Sequence, residues 1–505
     1  MSYLRIELLT PVHVGTGRKL EANLDFIWFG GNDQTVAVLD ERKVFGVIGA
    51  ENLDKWLSSI ASRESLLPYL RTRRPSLQPS DVAAREMEAP GAAPSGRQDI
   101  REQMRAGNGE ALLPGSSLKG ALRTAWLTAK ILAKPTESRY ALPRDEFGFK
   151  RAFSDQDLTQ LHLLPAGVAK GKAPNHDLLR LLHVGDAHFA TTECLLTETL
   201  NARGSEQEMK HNVSQFAECL AAGQSTLARV QVPEVLKKQL LEKNQVRQSE
   251  GQELTMASLL STVRAHTRRL LQQELDKYGE LNLPREAEEF VHALTDLQTQ
   301  NEQCAEGKQA VLRLGFGSGH AFITGGWYQE VLKSEPGQRK AVENAARKNN
   351  RYEGIPLSKS RKMTLHGTPL GFVRLTLLSE AEASAATATA LAASENAQKQ
   401  AATAAAEAKA AADKAEAEAA AKAEQARLPQ YFLSKLKAGS EVDAVVIQFA
   451  TPTATLRLYI GGAGQEQIVQ TRYVGGMAKG TVCVVKVNAE QKGKVQSVTV
   501  VREKK

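Results

Sequence analysis

The stretch Leu113-Pro114-Gly115-Ser116-Ser117-Leu118-Lys119-Gly120-Ala121-Leu122-Arg123-Thr124-Ala125 decides how this chain is read. Pro-Gly is a turn signal and the residues after it favour helix, so a helix is expected over about 117–132. Ser116 or Ser117 can cap that helix through a side-chain oxygen, leaving backbone N–H groups and the positive end of the helix dipole at the turn. Lys119 and Arg123 lie four residues apart and share one face, while Leu118, Leu122, Ala125 and Trp126 supply the apolar one. A glycine turn, free N–H groups and two cations on one face make a phosphate seat. A single such stretch equally fits an ordinary capped helix, and its spacing is not that of the nucleotide-binding P-loop, G-x-x-x-x-G-K-[ST].

Other glycine-rich, basic stretches recur. Residues 2–10 alternate as a strand and lead into Pro11-Val12-His13-Val14-Gly15-Thr16-Gly17-Arg18-Lys19, a glycine loop ending in two cations that suit a phosphate. His13 could act as a general base. No second His or Lys has a clear claim to partner it, and a packed or backbone-bonded histidine is the plainer reading. Val311-Leu312-Arg313-Leu314-Gly315-Phe316-Gly317-Ser318-Gly319-His320 departs from G-x-G-x-x-G and lacks the following acidic residue of a dinucleotide site. Downstream, Arg347, Lys348, Arg351, Lys359, Arg361 and Lys362 cluster with Tyr352 and Met363 interleaved, a mixture compatible with a single-stranded nucleic-acid track. Asp186, alone after a glycine, reads as a turn former rather than a metal ligand.

At 505 residues the chain should hold about three domains of ~150 residues each. A formal charge of +8 suggests a polyanionic partner. Four cysteines without a C-x-x-C pair argue against a zinc site or a disulfide framework and favour a reducing cytoplasm. The N-terminus lacks an apolar leader core and no run of ~18 apolar residues exists, so no membrane span is expected. Residues 71–109 are rich in Arg, including Arg71, Arg85, Arg97, Arg101 and Arg105, and read as a flexible basic insertion or a solvated loop. A strand pair is expected over 215–231, amphipathic helices near 254–279 and 285–304, and a strand over 368–377. Residues 383–427 are alanine-dominated with no apolar stripe, a spacer that would measure roughly 65 Å if helical throughout. Five strand-like runs between 441 and 501 then fit a small OB-type barrel, with Arg457, Tyr459, Arg472 and Tyr473 as platform residues if it binds nucleic acid; protein docking is the alternative.

The motif order Pro11–Gly17, Pro114–Arg123, Arg313–Gly319 resembles the RAMP superfamily of CRISPR-Cas effectors. Pro356-Leu357-Ser358-Lys359-Ser360-Arg361 followed by Pro369-Leu370-Gly371-Phe372-Val373 resembles the closing motif of its Csm-type head-subunit family, the fifth Csm protein of type III-A systems. The resemblance covers about residues 1–380; the alanine-rich spacer and terminal barrel have no counterpart in it. It implies an α+β chain of two ferredoxin-like (RRM-like) RAMP domains at 1–190 and 191–380, to which composition and strand pattern add the helical linker 381–429 and the OB-like barrel 430–505. It implies a non-catalytic, cofactor-free role in antiviral defence: capping the 3′ end of the CRISPR RNA, touching neighbouring Csm backbone and small subunits, and meeting target RNA indirectly. On this reading Gly15, Thr16, Gly17, Arg18 and Lys19 line the RNA backbone path, and Ser116, Ser117, Lys119 and Arg123 seat a phosphate. Gly315, Gly317, Ser318, Gly319, Lys359 and Arg361 complete the track or support the packing around it. Two other readings remain open: an endoribonuclease processing the guide precursor, with His13, His320 or His366 as its acid–base group, and an adaptor whose barrel recruits a host nuclease.

Overall fold

The computed structural model describes residues 2–31, 34–94, 98–134, 159, 162–168, 173–190, 194–203, 214–278, 285–327, 360–389, 403, 437–450, 453–459, 466–472, 479–491 and 494–503. The chain divides into two compact units, Met1–Thr387 and Ala388–Lys505.

Alternation in the first strand, β1 (Ser2–Leu8), turns Leu4, Ile6 and Leu8 into the interior of the first unit. β1 lies inside a five-stranded sheet of order β13 (Gln309–Arg313), β15 (Phe372–Ser379), β1, β12 (Ser225–Gln231), β8 (His183–Val184). All four pairings are antiparallel. A second sheet runs β2 (Gly15–Leu20), β6 (Ile100–Gln103), β11 (Gln215–Leu220), β10 (Cys194–Arg203), β5 (Ala83–Glu88), β4 (Thr35–Leu39), β3 (Phe26–Phe29), with β14 (Ser360–Thr364) also on β10. The short pair β7 (Ala111–Leu113) and β9 (Ala187–Phe189) stands apart. Helices α1 (Glu41–Ile48), α2 (Leu53–Ser62) and α3 (Leu67–Arg73) share a core with the β3–β5 end of the second sheet through Val44, Ile48, Trp56 and Leu70.

The helix expected after Pro114 is α4 (Gly115–Leu132), and its Leu118, Leu122, Ala125 and Trp126 join the core built on Leu4, Ile6 and Leu8. Two short helices, α5 (Glu234–Glu242) and α6 (Gln248–Glu253), precede the two long amphipathic ones, α7 (Met256–Tyr278) and α8 (Arg285–Glu302). α7 and α8 meet in a core of Leu270, Leu271, Tyr278, Phe290 and Leu294 that continues into Val311 and Phe372.

Two expectations are corrected. The boundary near 190 does not separate one sheet from the other: β1 and β8 lie on one side of it and β12, β13 and β15 on the other, in one sheet. Residues 71–109 are not a loop, because β5 and β6 within them are strands of the second sheet; Arg97 lies outside the described residues. The strand pair expected over 215–231 is present as β11 and β12, which join different sheets. After Leu220, which exchanges backbone hydrogen bonds with Val12, the chain turns and sends β11 to one sheet and β12 to the other.

The arginines of 71–109 have internal uses. Glu218, fully buried on β11, accepts from Arg85 at 3.1 Å, from Arg105, and from the Gln103 backbone N–H at 3.2 Å. Three donors on one buried carboxylate tie β5, β6 and β11 together. Removing that charge strands two guanidiniums in a poorly solvated site. Glu218→Gln is therefore expected to lower unfolding free energy by about 3–5 kcal/mol, read as a fall in the thermal midpoint of the first unit.

The second unit is built on five antiparallel strands: β16 (Glu441–Ala450), β17 (Thr453–Tyr459), β18 (Glu466–Arg472), β19 (Val482–Gln491) and β20 (Lys494–Glu503), in the order β18-β17-β16-β19-β20. Its ends approach one another, with the Val495 N–H donating to Gln467 Oε1 at 2.8 Å and Thr471 Oγ1 donating to the Val498 carbonyl at 2.8 Å. The result is a nearly closed barrel around Val442, Leu456, Leu458, Val469, Val485 and Val498. Residues 380–389 are helical, while most of the alanine-rich spacer lies outside the described residues. Among the described residues no helix is long and apolar enough to cross a membrane.

His266, on α7, is buried with its Nδ1 unpartnered. Burial first, and Arg269 second, push its pKa from 6.5 down to about 3. The folded state thus refuses a proton that the unfolded chain accepts, and the stability held above pH 6.5 drains as pH falls towards 3. Acidification from pH 6.5 is expected to cost about 1.4 kcal/mol per pH unit from this group. His266→Leu should flatten the dependence of the thermal midpoint on pH between 7 and 5.

Candidate nucleic-acid interface

The two outer glycine stretches meet in space. The Phe316 N–H donates to the His13 carbonyl at 2.8 Å, and a Cβ on Gly315 would collide with that same oxygen. The closing motif joins them: the Gly371 N–H donates to the Pro11 carbonyl at 2.9 Å, the Leu314 N–H donates to the Gly371 carbonyl at 2.8 Å, and a Cβ on Gly371 would collide with the Leu314 carbonyl. Gly315 and Gly371 also sit at φ +77° and +90°, so both need glycine for conformation as well as for space. Arg313 pins the junction from inside, donating to the Leu370 carbonyl at 2.9 Å and to the Gly317 carbonyl at 3.1 Å.

This interlock holds Phe316, a large apolar ring between two glycines, only half-buried. The Arg101 guanidinium lies 4.8 Å from its centroid and the Lys362 ammonium 5.1 Å. Lys362 also donates to Gln215 Oε1 at 3.0 Å. Burial, and then the neighbouring Arg101, hold the Lys362 pKa below its usual value. Arg101 makes no ion pair with a described residue. Across the β2–β6 ladder it stands opposite Lys19 on a strand whose residues 15–19 are exposed. Two cations flanking one ring, beside an open strand, have the chemistry to hold a stacked base and its phosphate.

The remaining predicted residues divide. Gly15–Lys19 form strand β2 rather than a loop. Thr16 donates to Glu102 at 3.2 Å, Arg18 pairs with Asp25, and Lys19 pairs with Asp99 at 3.2 Å, all on the surface. The Pro114 turn is corrected: α4 begins at Gly115 with Pro114 as its cap residue, and neither Ser116 nor Ser117 caps it through a side chain. The Gly115 N–H donates instead to Asp186 Oδ1 at 2.7 Å, so the chain's own carboxylate fills the anion seat at the helix start. Arg123 is turned to Asp177 at 3.2 Å and Thr159 at 2.6 Å. Lys119 is half-buried and makes no ion pair with a described residue. Ser318 is buried and bonded to the Gly315 carbonyl, and Gly317 and Gly319 pack against Lys362 and Arg361. Arg361, expected to complete the track or to support the packing around it, takes the packing role, buried in an ion pair with Glu274 at 2.5 and 2.7 Å. Lys359, with the cluster 347–351, lies outside the described residues.

Sequence reasoning did not single out Arg101 and Phe316 as site residues. The available signal was the ring itself, since an aromatic residue between two glycines belongs to no helical or strand periodicity. His13 proves to be the packed histidine: its Nδ1 lies 2.7 Å from the Glu218 carbonyl and Phe316 stands edge-on at 5.6 Å. Burial outweighs Glu218 and keeps its pKa lowered. His320 and His366 are both exposed. Among the described residues no cluster of three His, Cys, Asp or Glu could hold a metal ion.

A RAMP superfamily model matches residues 5–319, and the chain belongs to that superfamily. Its fold is similar to that of a chain in the cryo-EM structure of a Csm–crRNA–target RNA ternary complex of a type III-A CRISPR-Cas system, at 19% identity and TM-score 0.54, covering 74% of this chain and 100% of that one. It is likewise similar to the crystal structure of Csm5 from T. onnurineus, at 17% identity and TM-score 0.51, covering 73% and 99%. No curated protein matches the sequence.

Gly315→Ala should push the loop off the His13 carbonyl at a cost of about 1–3 kcal/mol. It is expected to lower both the thermal midpoint and RNA affinity, whereas Gly17→Ala, where a Cβ meets open space, should shift the midpoint far less despite its own positive φ.

Proposed function

We propose that this chain is a non-catalytic, CRISPR-RNA-binding subunit of a type III-A effector complex that caps the 3′ end of the guide and contacts neighbouring Csm subunits. The observation that carries this is the partly buried Phe316 set between Arg101 and Lys362 at the glycine junction. Membership of the RAMP superfamily supports it, as does the similarity of fold to a chain solved within a Csm–crRNA–target RNA complex. A face that offers cations and a ring, with no carboxylate paired to Arg101, takes RNA without regard to sequence, which suits a subunit meeting guides of many sequences. The order β15-β1-β12-β8, with α4 between β1 and β8 and α7 between β12 and β15, supports a ferredoxin-like reading of the first unit. The barrel order supports the OB-like reading of the second unit.

Fluorescence anisotropy with a labelled guide 3′ fragment, across a salt series, tests the reading. Arg101→Ala/Lys362→Ala should weaken binding and reduce the slope of log affinity against log salt by about 1.4, at ~0.7 per lost single-strand phosphate contact. Phe316→Leu should weaken binding by about 1–3 kcal/mol with the slope unchanged. Wild-type affinity in both folded variants would refute the proposal. The nuclease reading finds its nearest histidine, His13, buried against a carbonyl. A guide precursor incubated with the chain is expected to stay uncut, and cleavage abolished by His13→Ala would reverse that.

A further inference from the structure

We propose that Gln215 reads the ribose 2′-hydroxyl of the nucleotide held at Phe316 and so makes that site select RNA over DNA; the inference rests on the RNA-binding reading of the glycine junction. Gln215, Ala217 and Cys219 alternate onto one face of β11. Phe316 packs on the cluster of Ala217, Cys219 and Leu370. Gln215 stands one strand repeat beyond Ala217, about 6.8 Å along β11. The ladders set Thr199 of β10 opposite Gln215 and Thr364 of β14 opposite Thr199, and Lys362, two residues before Thr364, shares their face. A nucleotide stacked on the ring, with its phosphate towards Arg101 and Lys362, therefore lays its own sugar over Gln215.

The neighbour fixes which way the amide faces. The Lys362 ammonium donates to Gln215 Oε1 at 3.0 Å. An ammonium has donors only, so the carbonyl oxygen must face it and the NH2 group turns away. Nε2 has no acceptor among the described residues, and the side chain is half-buried. The Gln215 backbone carbonyl is held separately, by Thr199 Oγ1 at 3.0 Å, so the amide is not needed to keep β11 in the sheet. Asp99, the carboxylate two residues before Arg101, is paired with Lys19 at 3.2 Å. A 2′-hydroxyl accepts as well as donates, and it is the group that tells RNA from DNA. Every ribonucleotide carries it, so an N–H donor aimed at it selects RNA whatever the base. A contact from the amide to a base edge would instead specify sequence, and one to a phosphate would serve RNA and DNA alike.

The test measures the affinity of the full chain for a labelled guide 3′ fragment and for its all-deoxy counterpart with uracil retained. Gln215→Leu should lower RNA affinity by about two- to tenfold, the worth of one hydrogen bond, and leave DNA affinity unchanged, so that the RNA-to-DNA ratio falls by the same factor. In the wild-type chain, single 2′-deoxynucleotides scanned through the RNA should show one position that reproduces the loss, and that substitution should cost Gln215→Leu nothing further. Gln215→Ala serves in its place should the leucine variant misfold. An equal loss for RNA and DNA overturns the proposal, because it marks a base-edge or phosphate contact, or a side chain that only positions Lys362. An RNA-to-DNA ratio unchanged by the substitution overturns it too. Failure of the RNA-binding reading shows separately, as an Arg101→Ala/Lys362→Ala variant that binds both oligomers like wild type, and takes this inference with it.

Discussion

The first unit depends on backbone meeting backbone at two places where no side chain fits. Gly315 sits against the carbonyl of His13, and Gly371 against the carbonyl of Leu314. Phe316, Leu314 and Gly371 close the contact with their N–H groups. His13 lies some three hundred residues before Gly315, yet this junction aligns the ends of β1, β13 and β15 in a single register. Thr10 completes it by accepting from the Phe372 N–H at 2.9 Å. Buried backbone polar groups must find partners, and here each loop supplies them to the next.

With the loops locked, the division of cations follows. Arg361 is consumed by Glu274, Arg85 and Arg105 by Glu218, and Arg123 by Asp177 and Thr159. These pairs are buried or half-buried and hold the fold in place. Arg101 and Lys362 have an aromatic ring in common, and that ring is partly open to solvent. A basic chain thus spends much of its positive charge internally. The charge left at the junction is a local property, which net charge alone does not locate.

Much of the architecture was legible in the sequence. The turn at Pro114 marked α4 to within two residues, leucine spacing marked α7 and α8, and alternation marked all five barrel strands. The order of the glycine motifs pointed to the RAMP superfamily. What was not legible lies in long-range contacts. That Asp186 fills the start of α4 depends on a residue 71 positions away, and no local pattern announces it. Residues 71–109 looked like a solvated loop because composition was weighed against periodicity, and β5 and β6 are too short to show alternation against that background. The strands either side of Gly223 were legible, but their joining different sheets was not, because it follows from the long-range pairing of Leu220 with Val12. Arg361 looked like a ligand because it stands in a basic run, and its buried partner is 87 residues away on α7.

The central claim, that the glycine junction presents Phe316 to RNA, is tested most directly by photocrosslinking. A guide 3′ fragment carrying 4-thiouridine is bound to the full chain, irradiated and digested, and the attached peptides are identified by mass spectrometry. The account predicts crosslinks at Phe316 and on the peptides bearing Arg101 and Lys362, lost in Phe316→Leu. Crosslinks confined to the α4 start, or to the barrel with none at the junction, would contradict it.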